Sequence, residues 1–266
     1  MRLIDSIDAY LLDHESWERK SHYASDITAC RRQLYYKWME TPKTNPPSAG
    51  AMWKMEMGKR AEDIITSWAE WAKERGEIKS YDTQVHYRVH PDGLANPIGL
   101  RFDWLIDGEM GVELKTSFGR GIKEIQKTGY PKEEHMAQVL CYIKLTPIKM
   151  FKLIYFGRDN GYRTEFTITD HEDGLIVNGT LYELNIDDYI ANLVDVELAL
   201  DAGKKPDRDY QVAIKGGEIR DKFQAANVMY NSDWQCRYCD FRDKCWSPVV
   251  QQSIETGKSY IGDKVI

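Results

Sequence analysis

The sequence predicts an α/β fold in which helices flank a central mixed β-sheet. Two observations carry that expectation. Residues 83–90, 98–107, 110–116, 148–157 and 162–169 read as strands, and segments of helical periodicity precede, interrupt and follow them. The order that results, α-α-α-β-β-β-α-β-β-α, suits a mixed sheet covered by helices, with helical ends that pack together. Length agrees: 266 residues, 42% hydrophobic and 12% aromatic, suit one large globular domain or a core with appended elements.

Taken in order, residues 2–20 and 24–40 read as helices broken near Ser21–Ser25, with Ser25 or Asp26 as caps. Prolines and Gly50 make 41–50 a loop. Residues 51–75 form the strongest helix, with Ala61, Ile65, Trp68 and Ala72 on one stripe. Further helices are expected at 131–145, 171–201 and 218–230. The N-terminus carries acids through its apolar positions, unlike a signal peptide, and no apolar run approaches the ~18 residues that span a bilayer. A soluble, cytoplasmic protein without membrane contact is expected.

The stretch GVELKTS, 111–117, raises the question of chemistry. On a strand, Val112, Leu114 and Thr116 share one face while Glu113 and Lys115 project together from the other. An isolated acid–base pair of this kind is usually a solvated strand face. The preceding strand, however, places Phe102, Trp104 and Ile106 on one face and Arg101, Asp103 and Leu105 on the other. Register decides what meets what. A two-residue loop at Gly108-Glu109 sets Asp103 against Leu114. A three-residue loop, Gly108 to Met110, pairs Leu105 with Glu113 and Asp103 with Lys115. Asp103, Glu113 and Lys115 then converge on one face, as a metal site with a lysine beside it.

A net charge of −6 argues against a general nucleic-acid coat, yet local charge is uneven. Residues 115–132 hold Lys115, Arg120, Lys123, Lys127 and Lys132 against only Glu124, and CRRQLYYKW adds Arg31, Arg32 and Lys37 beside aromatic rings. Such mixtures suit phosphate and base contacts. Taken singly, each stretch is about as readily an ordinary basic surface turn.

Of the five cysteines, Cys236, Cys239 and Cys245 have C-x2-C-x5-C spacing, and Cys30 is the candidate fourth ligand. Without a secretion signal, a disulfide framework is not expected. Four thiolates suit a 4Fe–4S cluster, and zinc accepts the same set. Cys141 reads as a small buried hydrophobe. Gly58 and Glu62, four apart on a helix, suggest a glycine that lets the helix approach the sheet and brings Glu62 to the site. Gln138 and Tyr142 share a helical face and suit contact with a phosphate backbone.

Together these residues resemble the RecB-like nucleases of the PD-(D/E)XK superfamily. Gly58-x3-Glu62, Asp103, Glu113-x-Lys115 and Gln138-x3-Tyr142 follow that family's motif order. The lone Cys30 upstream and the three cysteines downstream look like its iron–sulfur branch, which includes the CRISPR adaptation nuclease Cas-four. Glu62 stands where Cas-four proteins usually carry histidine and is more like the phage-type exonucleases. The resemblance covers about Ala24 to Trp246.

It implies a single nuclease domain over 1–266, with 24–50 and 218–246 as a cluster-bearing helical portion around a 51–200 core. The N- and C-terminal segments would join at a 4Fe–4S cluster on Cys30, Cys236, Cys239 and Cys245. Mg²⁺ or Mn²⁺ would be held by Asp103 and Glu113, with Glu62 and the carbonyl of Leu114, and Lys115 would complete catalysis. Gln138, Tyr142, Arg31, Arg32, Arg120 and Lys123 would contact DNA, with single-stranded ends favoured. The sequence has no G-x4-G-K-[ST] phosphate-binding loop, so a helicase, or CRISPR integration proteins, would be separate partners. The competing reading is a non-catalytic DNA-binding scaffold that kept the fold.

Overall fold

The computed structural model describes residues 2–13, 19–217 and 233–265; the helix expected at 218–230 lies outside them. Along the chain run α1 (Leu3–Leu12), β1 (His22–Tyr23), α2 (Arg31–Trp38), α3 (Ala49–Glu74), β2 (Tyr81–Val89), β3 (Ile98–Ile106) and β4 (Met110–Ser117). Then come α4 (Gly119–Thr128), α5 (Glu133–Leu145), β5 (Met150–Gly157), β6 (Arg163–His171), β7 (Gly174–Val177), β8 (Thr180–Glu183) and α6 (Ile186–Asp201). The C-terminal part holds β9 (Ala213–Ile214), α7 (Trp234–Arg237), α8 (Arg242–Thr256), β10 (Tyr260–Ile261) and β11 (Lys264–Val265). Contacts divide the chain into two compact units, one mainly Lys20–Thr28 and Ala49–Val194, the other mainly Ala29–Ser48 and Asp195–Ile266. No described helix is long and apolar enough to cross a membrane.

The first unit is the α/β body. Among the described residues its sheet has eight strands, in the order β1-β3-β4-β5-β6-β7-β8, with β2 on the remaining edge of β3. The sheet is mixed: β4 and β5 run parallel, while β2–β3, β3–β4 and β5–β6 are antiparallel. A parallel neighbour needs a crossover, and α4 and α5 supply it. The helix α5 is buried from Met136 to Ile143, and its Tyr142 ring stacks on Phe151 of β5 at 5.4 Å. On the other face α3 approaches closely, because the residues it buries are Ala61, Ala69 and Ala72. A Cβ on Gly58 would stand 3.0 Å from Thr116 Oγ1 on β4, so this glycine does mark a close approach to the sheet.

Several expectations are corrected here. The β3–β4 register is neither of those considered: Leu105 pairs with Gly111 and Ile106 with Met110. The intervening turn is Asp107-Gly108-Glu109, in which Asp107 and Gly108 both have positive φ, a conformation that Asp-Gly readily adopts. Strict alternation fails on β3. Phe102 packs against Tyr142 of α5, whereas Trp104 donates to Thr66 Oγ1 of α3 at 3.0 Å, so the two rings lie on opposite faces. Trp68 is 41% exposed, and Ala69 is the buried residue of that turn. The helix expected over 171–201 begins only at Ile186, because β7 and β8 form a hairpin about Asn178-Gly179, both of positive φ. The first two helices are shorter than expected, with β1 between them, and α4 was not expected.

The second unit carries all four candidate ligand cysteines. Tyr35 and Tyr36 of α2 pack with Phe241 in one small core. Val212, Ile214, Trp246, Val249, Val250 and Tyr260 form another, under a three-stranded sheet of order β11-β10-β9.

Candidate active site and cysteine pocket

The site in the first unit exists because two strands part. Hydrogen-bonded pairing of β3 with β4 ends at Trp104↔Val112. Beyond that point the Leu114 N–H donates to Asp103 Oδ2 at 2.7 Å, a side-chain acceptor in place of the neighbouring strand. Continued by one step, the register brings Asp103 opposite Glu113. On the other edge of β3, pairing with β2 skips Gln84, which has φ of 50°. A non-glycine residue in that region is strained, and its side chain has a use. Gln84 Nε2 donates to Glu62 Oε2 at 3.1 Å, and the side chain also lies near enough to Asp103 to favour its carboxylate. Gln84 thus links Glu62 to the site, a role that sequence patterning alone did not expose.

Glu113 and Lys115 share a face, as alternation on β4 predicts. Lys115 Nζ donates to Glu113 Oε1 at 2.7 Å and to Gln138 Oε1 at 2.8 Å. Gln138 Nε2 donates to Glu113 Oε1 at 3.1 Å and to Tyr142 Oη at 2.6 Å, while Tyr142 Oη donates to the carbonyl of Arg101 at 2.6 Å. Gln138 and Tyr142 are therefore buried and turned inward. They brace the acid and the lysine, and in this structure neither presents its polar end to a phosphate backbone. The remaining oxygen, Glu113 Oε2, is buried without a hydrogen-bond partner. An orphaned carboxylate oxygen is costly unless something else coordinates it.

Electrostatics agree. Burial, with a further push from Asp103, raises the Glu113 carboxyl to about 7 against the opposing pull of Lys115. Burial also raises Asp103, and Glu62 is raised by burial and by the charge of Asp103. His135 is lowered to about 3 by burial and by Lys115 and Lys132, so it is neutral at pH 7; its Nδ1 lies 2.8 Å from Tyr155 Oη. Three acids that resist ionisation around one spot mark a place where a cation would be welcome.

Among the described residues no three His, Cys, Asp or Glu side chains stand close enough to hold one metal ion. Two carboxylates suffice for Mg²⁺ chemistry, in which water and substrate phosphates fill the other positions. Glu62 stays with Gln84.

In the second unit, Cys30, Cys236, Cys239 and Cys245 line one pocket, together with Arg32, Arg208 and Arg242. Burial, helped by the nearby Cys30, Cys245 and Cys239, pushes Cys236 up to about 12, and burial raises Cys239 to about 11. Donors point at the sulfurs: the Phe241 N–H reaches Cys239 Sγ at 3.4 Å and Arg208 Nε reaches Cys245 Sγ at 3.4 Å. Four thiols lining one pocket, two of them receiving N–H donors, are the donor set a thiolate-bound metal group would need, but no three of the sulfurs stand close enough here to hold one ion. Cys141 is fully buried in α5, in the first unit, as a small hydrophobe. Arg31 is committed elsewhere, to Asp209 at 2.6 Å and Asp195 at 2.7 Å, and Arg32 Nε donates to the Pro206 carbonyl at 2.7 Å. Arg120 and Lys123 stand exposed on α4.

No family model matches the sequence, and no curated protein matches it significantly. Among solved structures, the crystal structure of SSO0001 is similar with a TM-score of 0.52 at 16% identity, over 91% of this chain and 94% of that one. An alkaline exonuclease (LHK-Exo) from Laribacter hongkongensis gives a TM-score of 0.46 at 14% identity, over 75% of this chain and 93% of the exonuclease. Its complex with dAMP gives 0.44 at 18% identity, with the same coverage. The first likeness shows a shared fold.

The raised Glu113 carboxyl has a consequence for stability. The folded, metal-free protein keeps a proton there up to about 7, which the unfolded chain releases near 4.5. Stability is therefore greatest below the unfolded value and falls as pH rises through about 7. Asp103 and Glu62 contribute falls of the same sign. Melting temperatures across this range should show the decline in metal-free protein, and Glu113→Gln should flatten its upper part. An identical profile in the variant would place the proton elsewhere.

Proposed function

We propose that this chain is a divalent-metal-dependent deoxyribonuclease of the PD-(D/E)XK type, a single nuclease domain acting as an exonuclease on single-stranded DNA ends. The observation that carries the reading is the juxtaposition, where β3 and β4 part, of Asp103, Glu113 with its unpartnered Oε2, and Lys115 at 2.7 Å from that acid. Asp103, Glu113 and the Leu114 carbonyl would hold Mg²⁺ or Mn²⁺, with Glu62 supporting from the Gln84 side. A divalent ion bound there lowers the pKa of a water and stabilises charge on phosphoryl oxygens.

The chain's own residues do the rest. The Lys115 ammonium, aimed by Glu113 and Gln138, donates a hydrogen bond to the attacking water or to a phosphoryl oxygen. Gln138 and Tyr142 fix the position of that ammonium through the Arg101 carbonyl. His135, neutral and bound to Tyr155, is not needed as a base. The exposed cations of α4, Arg120 and Lys123, take up DNA phosphates.

The second part of the proposal is a 4Fe–4S cluster on Cys30, Cys236, Cys239 and Cys245, supported by four thiols lining one pocket with donors directed at two of them. Zinc is the alternative for the same set. The biological setting would be CRISPR adaptation or phage-type recombination and repair, with a helicase or CRISPR integration proteins as separate partners.

Two experiments test these parts separately. End-labelled single-stranded DNA should be degraded with Mg²⁺ or Mn²⁺, and Lys115→Ala should lose at least ~100-fold in rate while keeping its fold. Near-normal cleavage by that variant would remove Lys115 from the mechanism, and an inactive parent protein would refute the nuclease. For the cluster, purified protein should contain iron and absorb broadly in the visible. Cys30→Ser and Cys239→Ser should both lose the iron, whereas Cys141→Ala should keep it. Zinc in place of iron, or full iron in Cys30→Ser, would contradict this assignment.

A further inference from the structure

Just past the catalytic strand stands a half-exposed aromatic ring that the core does not need. Phe118 follows β4, three residues after Lys115, a separation of about 10 Å along extended chain, and is 50% exposed. Two cations flank its ring: Lys54 Nζ at 5.5 Å and the Arg158 guanidinium at 5.4 Å from the centroid. A second ring repeats the pattern. Tyr162 is 38% exposed, with Lys123 Nζ 4.8 Å from its centroid.

The support under both rings is tightly built. The Gly119 N–H donates to Asp159 Oδ1 at 2.6 Å, and the Tyr162 N–H donates to Asn160 Oδ1 at 3.1 Å. A Cβ on Gly119 would stand 1.7 Å from Asn160 Nδ2, so only glycine allows the β5–β6 turn to seat against the start of α4. Arg158 anchors the same turn twice, by its N–H to the Ser117 carbonyl at 2.9 Å and by its guanidinium to the Lys54 carbonyl on α3. Backbone fixed in this way beneath two rings limits the freedom they lose when something stacks on them.

We infer that Phe118 and Tyr162 form a base-stacking platform for single-stranded nucleic acid, with Lys54, Arg158 and Lys123 receiving the adjoining phosphates. Exposed rings beside cations suit this ligand: the ring takes the face of any base, and the cations follow the backbone. Duplex DNA keeps its base faces stacked inside and could use only the cations. The platform therefore selects unpaired strands, and its place after β4 would feed them toward Lys115. This deepens the nuclease reading and rests on it for the identity of the ligand.

The test measures binding of the full chain, with Ca²⁺ replacing Mg²⁺, to a fluorescent single-stranded oligonucleotide and to an abasic sugar-phosphate strand of equal length. Phe118→Ala should weaken the oligonucleotide about tenfold, the contribution of one stacked base, and leave the abasic strand unchanged. Phe118→Trp should retain affinity, and Tyr162→Ala should show the same selective loss. Equal loss on both ligands would reduce Phe118 to a structural role, and unchanged affinity for the oligonucleotide would overturn the platform. Should Phe118→Ala fail to melt cooperatively, Tyr162→Ala and Phe118→Trp decide by the same comparison. Base-selective binding without any cleavage would refute the nuclease and keep the platform; cleavage with no base selectivity would do the reverse.

Discussion

The separation of β3 from β4 at Asp103 and Glu113 is the constraint on which the rest of the site depends. A continuous ladder would use the Leu114 N–H in pairing and leave no gap between the strands. Here that N–H goes to the Asp103 carboxylate, and β3 turns its next residues to other partners. Phe102 swings to the α5 face while Trp104 stays with α3. The strained Gln84 sits beside the break on β2, bonded to Glu62 and next to Asp103. A sheet that was regular through this point would leave no gap beside Asp103 and Glu113.

Burial then sets the chemistry. A carboxyl with 4% of its residue exposed and one orphaned oxygen is a poor anion by itself. The Gln138–Tyr142–Arg101 chain fixes its other oxygen and the Lys115 ammonium, so the orphan faces a defined direction. Such preorganisation is costly to the protein as it stands, which is why the proposed reading gives the orphaned oxygen a cation. The cysteine pocket shows the same burial with softer groups: Cys236 and Cys239 are held as neutral thiols by their surroundings.

How much of this was legible in the sequence depended on whether local rules survived. On β4 they did, and alternation placed Glu113 and Lys115 together. On β3 they failed at Asp103, because the break there turns Phe102 and Trp104 to opposite faces. The Asn178-Gly179 signal for β7–β8 was present but was absorbed into a long helix, and the glycines of FGRGIKEIQKTG hid α4 despite Ile122 and Ile125 at helical spacing. Spacing grouped the three C-terminal cysteines, with Cys30 as the candidate fourth ligand and Cys141 read as a buried hydrophobe. Charge alone misled: Arg31 looked free for DNA but is bound by Asp195 and Asp209, and the partners of long side chains depend on tertiary contacts that no local pattern encodes.

Anomalous diffraction from crystals soaked in Mn²⁺ tests the central claim most directly. The account predicts one strong peak within coordinating reach of Asp103 and Glu113 Oε2, and its loss in Glu113→Ala. Manganese bound only elsewhere, or none at this point with the carboxylates ordered as described, would contradict it.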